Sequence, residues 1–533
     1  MLKKIFIIAF VSLLGFSAYA APKYGGTLVF GRGGDAVTMD PSHATDGNTF
    51  NATIQVYDML VKFEYGSTRV VPGLATSWDV SDNGLEYIFH LRKGVKFHKT
   101  RYFKGDLSFT ADDVIFSLKR QFDIDHTYNK IGGPFTYWLS MDMSNIVKDI
   151  IKIDEYTVKF VLKKPEASFI SNLAMDFSCI LSEKYADKLL KEKRPGDLGR
   201  YPVGTGPFIM DKWIKDDRII FGANKEYWGG RPYVDKLILK VIPNNSVRAA
   251  ELKTNQIHVM DFPNPEEVDS LSKNSDIKLV KQEGMNIGYL SMNMGKKPFD
   301  NKLVRQAINM AINKKGIVDA IYAGLGVTAK NPIPPSIWSY NDKINDYKYN
   351  PDEAKKLLTE AGYPNGFNTD LWAMAVPRPY IPDGRKIAEA IQSDLSNIGV
   401  KAKIISYDWG TYLEKTKYGE HSMALLGWTG DNGDPDNFLY VLLSSIAAKK
   451  PAQNIAFYRS KKFDALVEKA KVITNIEERA KLYMQAQEVF HEDVPWVPLA
   501  HSVVVVPVRK NVKGFKIDPT GSRRFDQVWF DKE

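Results

Sequence analysis

Residues 427–438 read GWTGDNGDPDNF and place Asp431, Asp434 and Asp436 within six positions, between a tryptophan and a phenylalanine. Carboxylates so close together suit a cation site, a hydrolytic acid pair, a set of turn and helix caps, or one anionic contact for a ligand held by structural neighbours. Calcium fails on spacing. An EF-hand loop needs oxygen ligands at alternate positions, a glycine at the sixth and a bidentate glutamate at the twelfth. Counted from Asp431, the third residue is Gly433, the fourth Asp434 and the twelfth Leu442. Nothing else in the chain supports a hydrolytic pair. Asp434 before Pro435 favours turn initiation, and Asp436 and Asn437 suit capping of the NFLYVLL segment. Asp431 stands apart because it follows Trp428-Thr429-Gly430, where a glycine lets a ligand approach the backbone. On residue type alone, a binding carboxylate and a solvated loop aspartate both remain open.

A second unusual stretch is LWAMAVPRPYIPDG, residues 371–384, where Arg378 sits between Pro377 and Pro379 with Tyr380 beside it. The prolines are expected to hold this loop extended and to present the guanidinium from a stiff support. A guanidinium held in this way suits bidentate capture of a carboxylate; the alternative is a solvated loop arginine.

No other motif offers a reaction. The histidines form neither HExxH nor a Cys/His zinc pattern, and His491-Glu492-Asp493 reads as a helix-end cluster. There is no GxSxG elbow and no SxxK. GRGGD at 31–35 lacks the dinucleotide spacing and reads as a turn whose glycines supply permissive backbone angles. VGTGPF at 203–208 lacks the lysine of a P-loop. Cys179, in the apolar run FSCIL, reads as a small buried hydrophobe. No catalytic residue, metal or cofactor is expected.

Strands and helices must position these loops, and both are plentiful. LEYIFHL (85–91), YTVKFVL (156–162) and YVDKLILKVIP (233–243) read as strands. NPDEAKKLLTEAGYPNG predicts a helix capped by Asn350, with Glu353 as capping-box partner, and stopped at Gly362. LVRQAINMAINKKG places Val304, Ala307, Ile308, Ala311 and Ile312 on one helical face, and NIEERAKLYMQAQEVF starts a helix at Asn475. The mixture defines an α/β or α+β protein of several domains, and 533 residues suffice for large cores. The formal charge of +9 comes from interspersed charges with no run of five alike, so no nucleic-acid partner is expected.

The N-terminus reads as a secretory signal peptide over residues 1–20. Lys3 and Lys4 precede an apolar run over residues 5–16, and Ala18-Tyr19-Ala20 marks cleavage after Ala20. That run is too short to span a bilayer comfortably, and no cysteine stands at the cleavage site for acylation. A soluble, exported mature chain is expected.

Several segments carry a family pattern: VPGLATSWDVSDNGLEYIFHLRKGVKFH (71–98), FTADDVIFSLKRQ (109–121), VGTGPF (203–208) and FDNKLVRQAINMAINK (299–314). With AMDFSCILSEKYAD, WSYNDKINDY, PRPY and GWTGDNGDPDNF, the chain resembles the periplasmic oligopeptide- and dipeptide-binding proteins of ABC importers, the extracellular solute-binding proteins of family 5. The resemblance implies an α/β, two-lobed type II clamshell of three domains. Domain I would comprise residues 21–57, 185–275 and 500–533, domain II residues 58–184 and domain III residues 276–499.

It also implies roles. Asp431 would hold a dipeptide's α-ammonium and Arg378 its α-carboxylate, while Tyr380 and Trp428 line the pocket and Thr45 and Gly47 face them from the opposite lobe. GRGGDAVTMDPSH departs from the usual sequence before Thr45, which loosens that last alignment. A monomeric periplasmic binder, not an enzyme, is implied, with an inner-membrane ABC permease as partner. The same fold binding haem or glutathione is the near alternative, and a secreted carboxylate-dependent hydrolase the alternative of another class.

Overall fold

The strand Trp496–Arg509 organises the molecule in this computed structural model, which describes residues 22–531. The expected signal peptide and its cleavage site lie outside the described residues. WVPLAHSVVVVPVR is apolar and β-branched for most of its length and is buried nearly throughout, which requires cover on both faces. Its first half pairs with Asn286–Met292 and Gly326–Thr328, and its second half with Ile277–Glu283 and Val259–Met260. Beyond Asn286–Met292 the sheet continues through Met423–Thr429, Asn368–Trp372 and Lys401–Ile405. In the other direction it continues through Thr27–Arg32, Lys236–Val241, Arg218–Ala223 and Phe208–Ile214. The strand therefore belongs to both lobes, and the division at 499/500 implied by the resemblance falls inside it.

A second chain crossing, 283–286, lies beside it. A Cβ on Gly284 would sit 2.1 Å from the Ser502 carbonyl oxygen, so only glycine lets the two crossings pack. Asn286 Oδ1 accepts from the Ser502 N–H at 3.0 Å and pins the pair.

A separate four-stranded antiparallel sheet is built from Ala75–Val80, Glu86–Leu91, Thr157–Leu162 and Val147–Asp154, in that order. The strands expected at 85–91, 156–162 and 233–243 are thus present, the last as Lys236–Val241. The helix Pro351–Glu360 starts at Asn350, whose Oδ1 accepts from the Glu353 N–H at 3.1 Å, and Gly362 follows at φ 90°.

Two expectations change. LVRQAINMAINKKG is not one helix: Lys302–Ala311 ends where Ile312 turns extended, and Lys314–Ile321 restarts behind Asn313, whose Oδ1 accepts from the Gly316 N–H at 2.9 Å. The asparagine side chain competes with the helical ladder and recaps it. The glycines of GRGGD do not adopt left-handed angles. They make room: a Cβ on Gly34 would lie 2.6 Å from Asn48 Nδ2, and one on Gly33 would lie 3.3 Å from the Arg248 guanidinium.

Candidate functional site

Three loops and a helix start converge on one cavity of about 270 Å³ between the lobes. Thr45, Gly47, Arg378, Tyr380, Trp428 and Asp431 all line it.

The Arg378 loop is a closed turn, not the extended segment expected from its prolines. Arg378 and Ile381 exchange backbone N–H···O bonds, both 3.0 Å, around Pro379 and Tyr380. Proline supplies the pre-set φ of such a turn, so the loop is stiff, though bent. It rests on a flat patch of the sheet made by two glycines paired across the ladder, Gly288 and Gly427. A Cβ on Gly288 would fall 2.1 Å from the Tyr380 carbonyl oxygen, and one on Gly427 would fall 2.2 Å from the Tyr380 ring. The Tyr322 hydroxyl donates to that carbonyl at 2.7 Å and clamps the turn from above.

On this platform the Arg378 guanidinium lies over the Trp409 ring, 5.2 Å from its centre. The other arginines lining the cavity are neutralised: Arg523 meets Asp261 at 2.9 Å and Arg524 meets Asp518 at 2.6 Å. Among the described residues Arg378 has no carboxylate partner.

Asp431 stands at the end of the strand Met423–Thr429. Asn437 organises it: its Oδ1 accepts from both the Asp431 N–H and Trp428 Nε1, each at 2.9 Å. One carboxylate oxygen of Asp431 accepts from the Tyr137 hydroxyl, carried by the facing lobe on the short helix Thr136–Ser140. Burial pushes the Asp431 carboxyl up to about 7, against those hydrogen bonds, which favour the charged form. Asp176 also lines the cavity, and burial, then the nearby Asp431 charge, pushes it up to about 7 as well. Its Oδ1 is buried without a hydrogen-bond partner among the described residues. One end of the cavity therefore carries two desolvated carboxylates, and another wall carries an unpaired guanidinium.

Thr45 and Gly47 flank Asp46, which caps the helix Gly47–Thr53 by accepting from the Asn48 and Thr49 N–H groups. Both are exposed toward the cavity, and the space above Gly47 is open.

The rest of GWTGDNGDPDNF differs from expectation in part. Asp434 is the turn residue, its Oδ1 accepting from the Asp436 N–H at 3.0 Å, and it also pairs with Arg479 at 2.9 Å. Asp436 and Asn437 are not caps; they lie in the helix Asp436–Leu443, whose N-cap is Pro435. Asp436 is buried 3.7 Å from Lys471. Gly430 serves packing and not ligand approach: a Cβ there would meet the Phe438 ring at 2.6 Å.

Sequence reading missed Tyr137, Asp176, Asn437 and Trp409. Asp176 lay within a segment already singled out, AMDFSCILSEKYAD, and Asn437 within GWTGDNGDPDNF, where it read as a cap; Tyr137 and Trp409 gave no local signal.

Residues 69–450 match the bacterial extracellular solute-binding proteins, family 5 (middle region). The chain is 45% identical over 511 residues to the dipeptide-binding protein of Escherichia coli, covering 96% of this chain and 95% of that protein. It is 44% identical to haem-binding protein A of Haemophilus influenzae, over 92% of this chain and 90% of that one. Among solved structures it is similar to the ABC transporter-associated periplasmic binding protein DppA of Helicobacter pylori in complex with the peptide STSA. That match has 46% identity and a TM-score of 0.90, and covers 96% of this chain and 99% of that one. The chain belongs to the family 5 extracellular solute-binding proteins, and its fold is their two-lobed type II clamshell.

Proposed function

We propose that this chain is the periplasmic substrate-binding component of an ABC peptide importer, which takes dipeptides by their charged termini and delivers them to an inner-membrane permease. The observation that carries this reading is that one cavity holds uncompensated groups of opposite charge: the Asp431 carboxylate, desolvated, and the Arg378 guanidinium, which has no carboxylate partner among the described residues. A dipeptide is a zwitterion with its charges one peptide unit apart. Charge-assisted bonds contribute roughly 1.5–3 kcal/mol each, and an unpaired buried charge costs more, so two fixed ends act as a ruler. Thr45 and Gly47 add polar contacts from the facing lobe, Tyr380 and Trp428 pack the ligand's backbone, and closure follows by population shift. No bond is made or broken.

The same reading divides the chain into domain I (21–57, 185–275, 500–533), domain II (58–184) and domain III (276–499), and places a monomer in the periplasm after cleavage near Ala20.

Arg378→Ala and Asp431→Ala are each expected to weaken Ala-Phe binding tenfold or more by titration calorimetry. Wild-type affinity in either variant overturns end capture. Peptide fragments in mass spectra after incubation with the protein would instead mark a hydrolase. The haem-binding relative makes haem the second reading, tested by a Soret shift on adding hemin.

A further inference from the structure

The cavity continues past the groups assigned to the peptide's termini. Along the helix Trp409–Lys417, Trp409, Leu413 and Lys417 line it. They stand four residues apart, so they form one stripe about 12 Å long. Leu426 and Trp428, two residues apart on one face of the strand Met423–Thr429, line the same cavity. Helix and strand are pinned together by the Tyr412 hydroxyl donating to the Leu425 carbonyl at 2.6 Å. Trp409, Leu413, Leu426 and Trp428 thus give this part of the lining an apolar surface, and Arg378 lies over Trp409.

Its far end is polar. Lys417 is partly buried there, and the Ala452 N–H donates to its carbonyl at 2.9 Å, which sets Gln453 alongside. Both side chains line the cavity, and among the described residues the Lys417 ammonium has no carboxylate within 4.0 Å and the Gln453 amide has no hydrogen bond. Burial alone pushes the Lys417 ammonium's pKa down, with no acidic neighbour to offset it. A desolvated cation and a free amide on adjoining segments, one helical stripe along from Trp409 and Leu413, are complementary to a carboxylate on an aliphatic stem.

We propose that Lys417 and Gln453 form a carboxylate site additional to Arg378, so that the protein prefers peptides that place a carboxylate there. This rests on the peptide reading above. The carboxylate has two sources: an acidic side chain of a dipeptide whose own C-terminus stays on Arg378, or the C-terminus of a longer chain, which then reaches past Arg378 to Lys417.

The test is calorimetry on the full mature chain with Ala-Ala, with Ala-Glu and Glu-Ala against Ala-Gln and Gln-Ala, and with tri-alanine against its C-terminal amide. A Glu peptide is expected to bind at least tenfold more tightly than its Gln isostere, the ratio falling to about one in Lys417→Met and returning in Lys417→Arg. If Lys417→Met instead removes a preference for free over amidated tri-alanine, the proposal stands with the chain end as its source. Equal affinities in both arms for wild type, or preferences that survive Lys417→Met, overturn it. Failure of Ala-Ala to bind the wild type would overturn the peptide reading itself, a separate outcome. The Arg variant keeps the test valid should the Met variant fold poorly.

Discussion

At the level of single residues, the chemistry rests on groups whose charges are left uncompensated. Asp431 must be ionised to hold an ammonium, and its carboxyl stands near 7. Below that pH, binding must first expel a proton, so affinity falls by about tenfold per pH unit. Above about 8 the ligand's own α-ammonium deprotonates and affinity falls again. Calorimetry with Ala-Phe should give an optimum between these limits, and at pH 6 the heat should vary with buffer ionisation enthalpy as proton release requires. A flat profile from pH 5.5 to 7.5 would count against Asp431. The stability sign is opposite to that of an ion-paired carboxylate. The folded-state value is raised, so the penalty is absent below the unfolded value of about 3.9 and complete above 7. Asp431→Asn should therefore raise the melting temperature at pH 8 and leave it unchanged at pH 4, while destroying binding.

At the level of elements, the Arg378 turn owes its position to the sheet beneath it. Gly288 and Gly427 face each other in the ladder and leave no Cβ where the Tyr380 turn must lie. Gly427→Ala would put a methyl against both the Tyr380 ring and the Ile287 carbonyl oxygen, the latter at 2.4 Å. The turn should lift, taking Arg378 with it, and Ala-Phe affinity should drop tenfold or more while the circular dichroism spectrum is retained. Unchanged affinity would show that the platform does not position the guanidinium. Local sequence made much of this level legible. Alternation revealed the strands at 86–91 and 157–162, and Asn350 and Asn475 announced their helices. It did not reveal the break at Ile312–Asn313, because the apolar period continues through it and only the asparagine's hydrogen bond interrupts the ladder.

At the level of the whole molecule, closure brings charges from different segments into one buried cluster. Lys471 lies 3.5 Å from Glu166 and 3.7 Å from Asp436, with Tyr440 beneath its ammonium, and the Ala167 N–H donates to the Lys471 carbonyl at 2.7 Å. Glu166 comes from the four-stranded-sheet side and Asp436 from the GWTGDNGDPDNF side, so the lysine neutralises both faces of the closed interface. Burial pushes Asp436 up to about 7 even with Lys471 opposing it. Lys471→Met leaves two buried carboxylates facing each other, a cost of about 3–5 kcal/mol that opening relieves. The ligand-free variant should show a larger radius of gyration by small-angle scattering and a severalfold weaker affinity for Ala-Phe. An unchanged radius and affinity would mean that the cluster does not hold the lobes closed.

Residue order alone determined the element types, the exclusion of an EF-hand and of the common catalytic motifs, and the singling out of Asp431 and Arg378, because hydrophobic period, caps and ligand spacing are local properties. It left Asp431 open between a solvated carboxylate and a binding one. That choice depends on burial, and on a lining that includes Tyr137, whose hydroxyl donates to Asp431, and Asp176, nearly 300 and about 250 residues away along the chain. It also misjudged the glycines, reading backbone freedom at Gly33 and Gly34 and ligand approach at Gly430 where the structure needs room for neighbouring side chains. Only tertiary packing decides which side chains approach a missing Cβ, which charges lose their water, and which lose it without a partner.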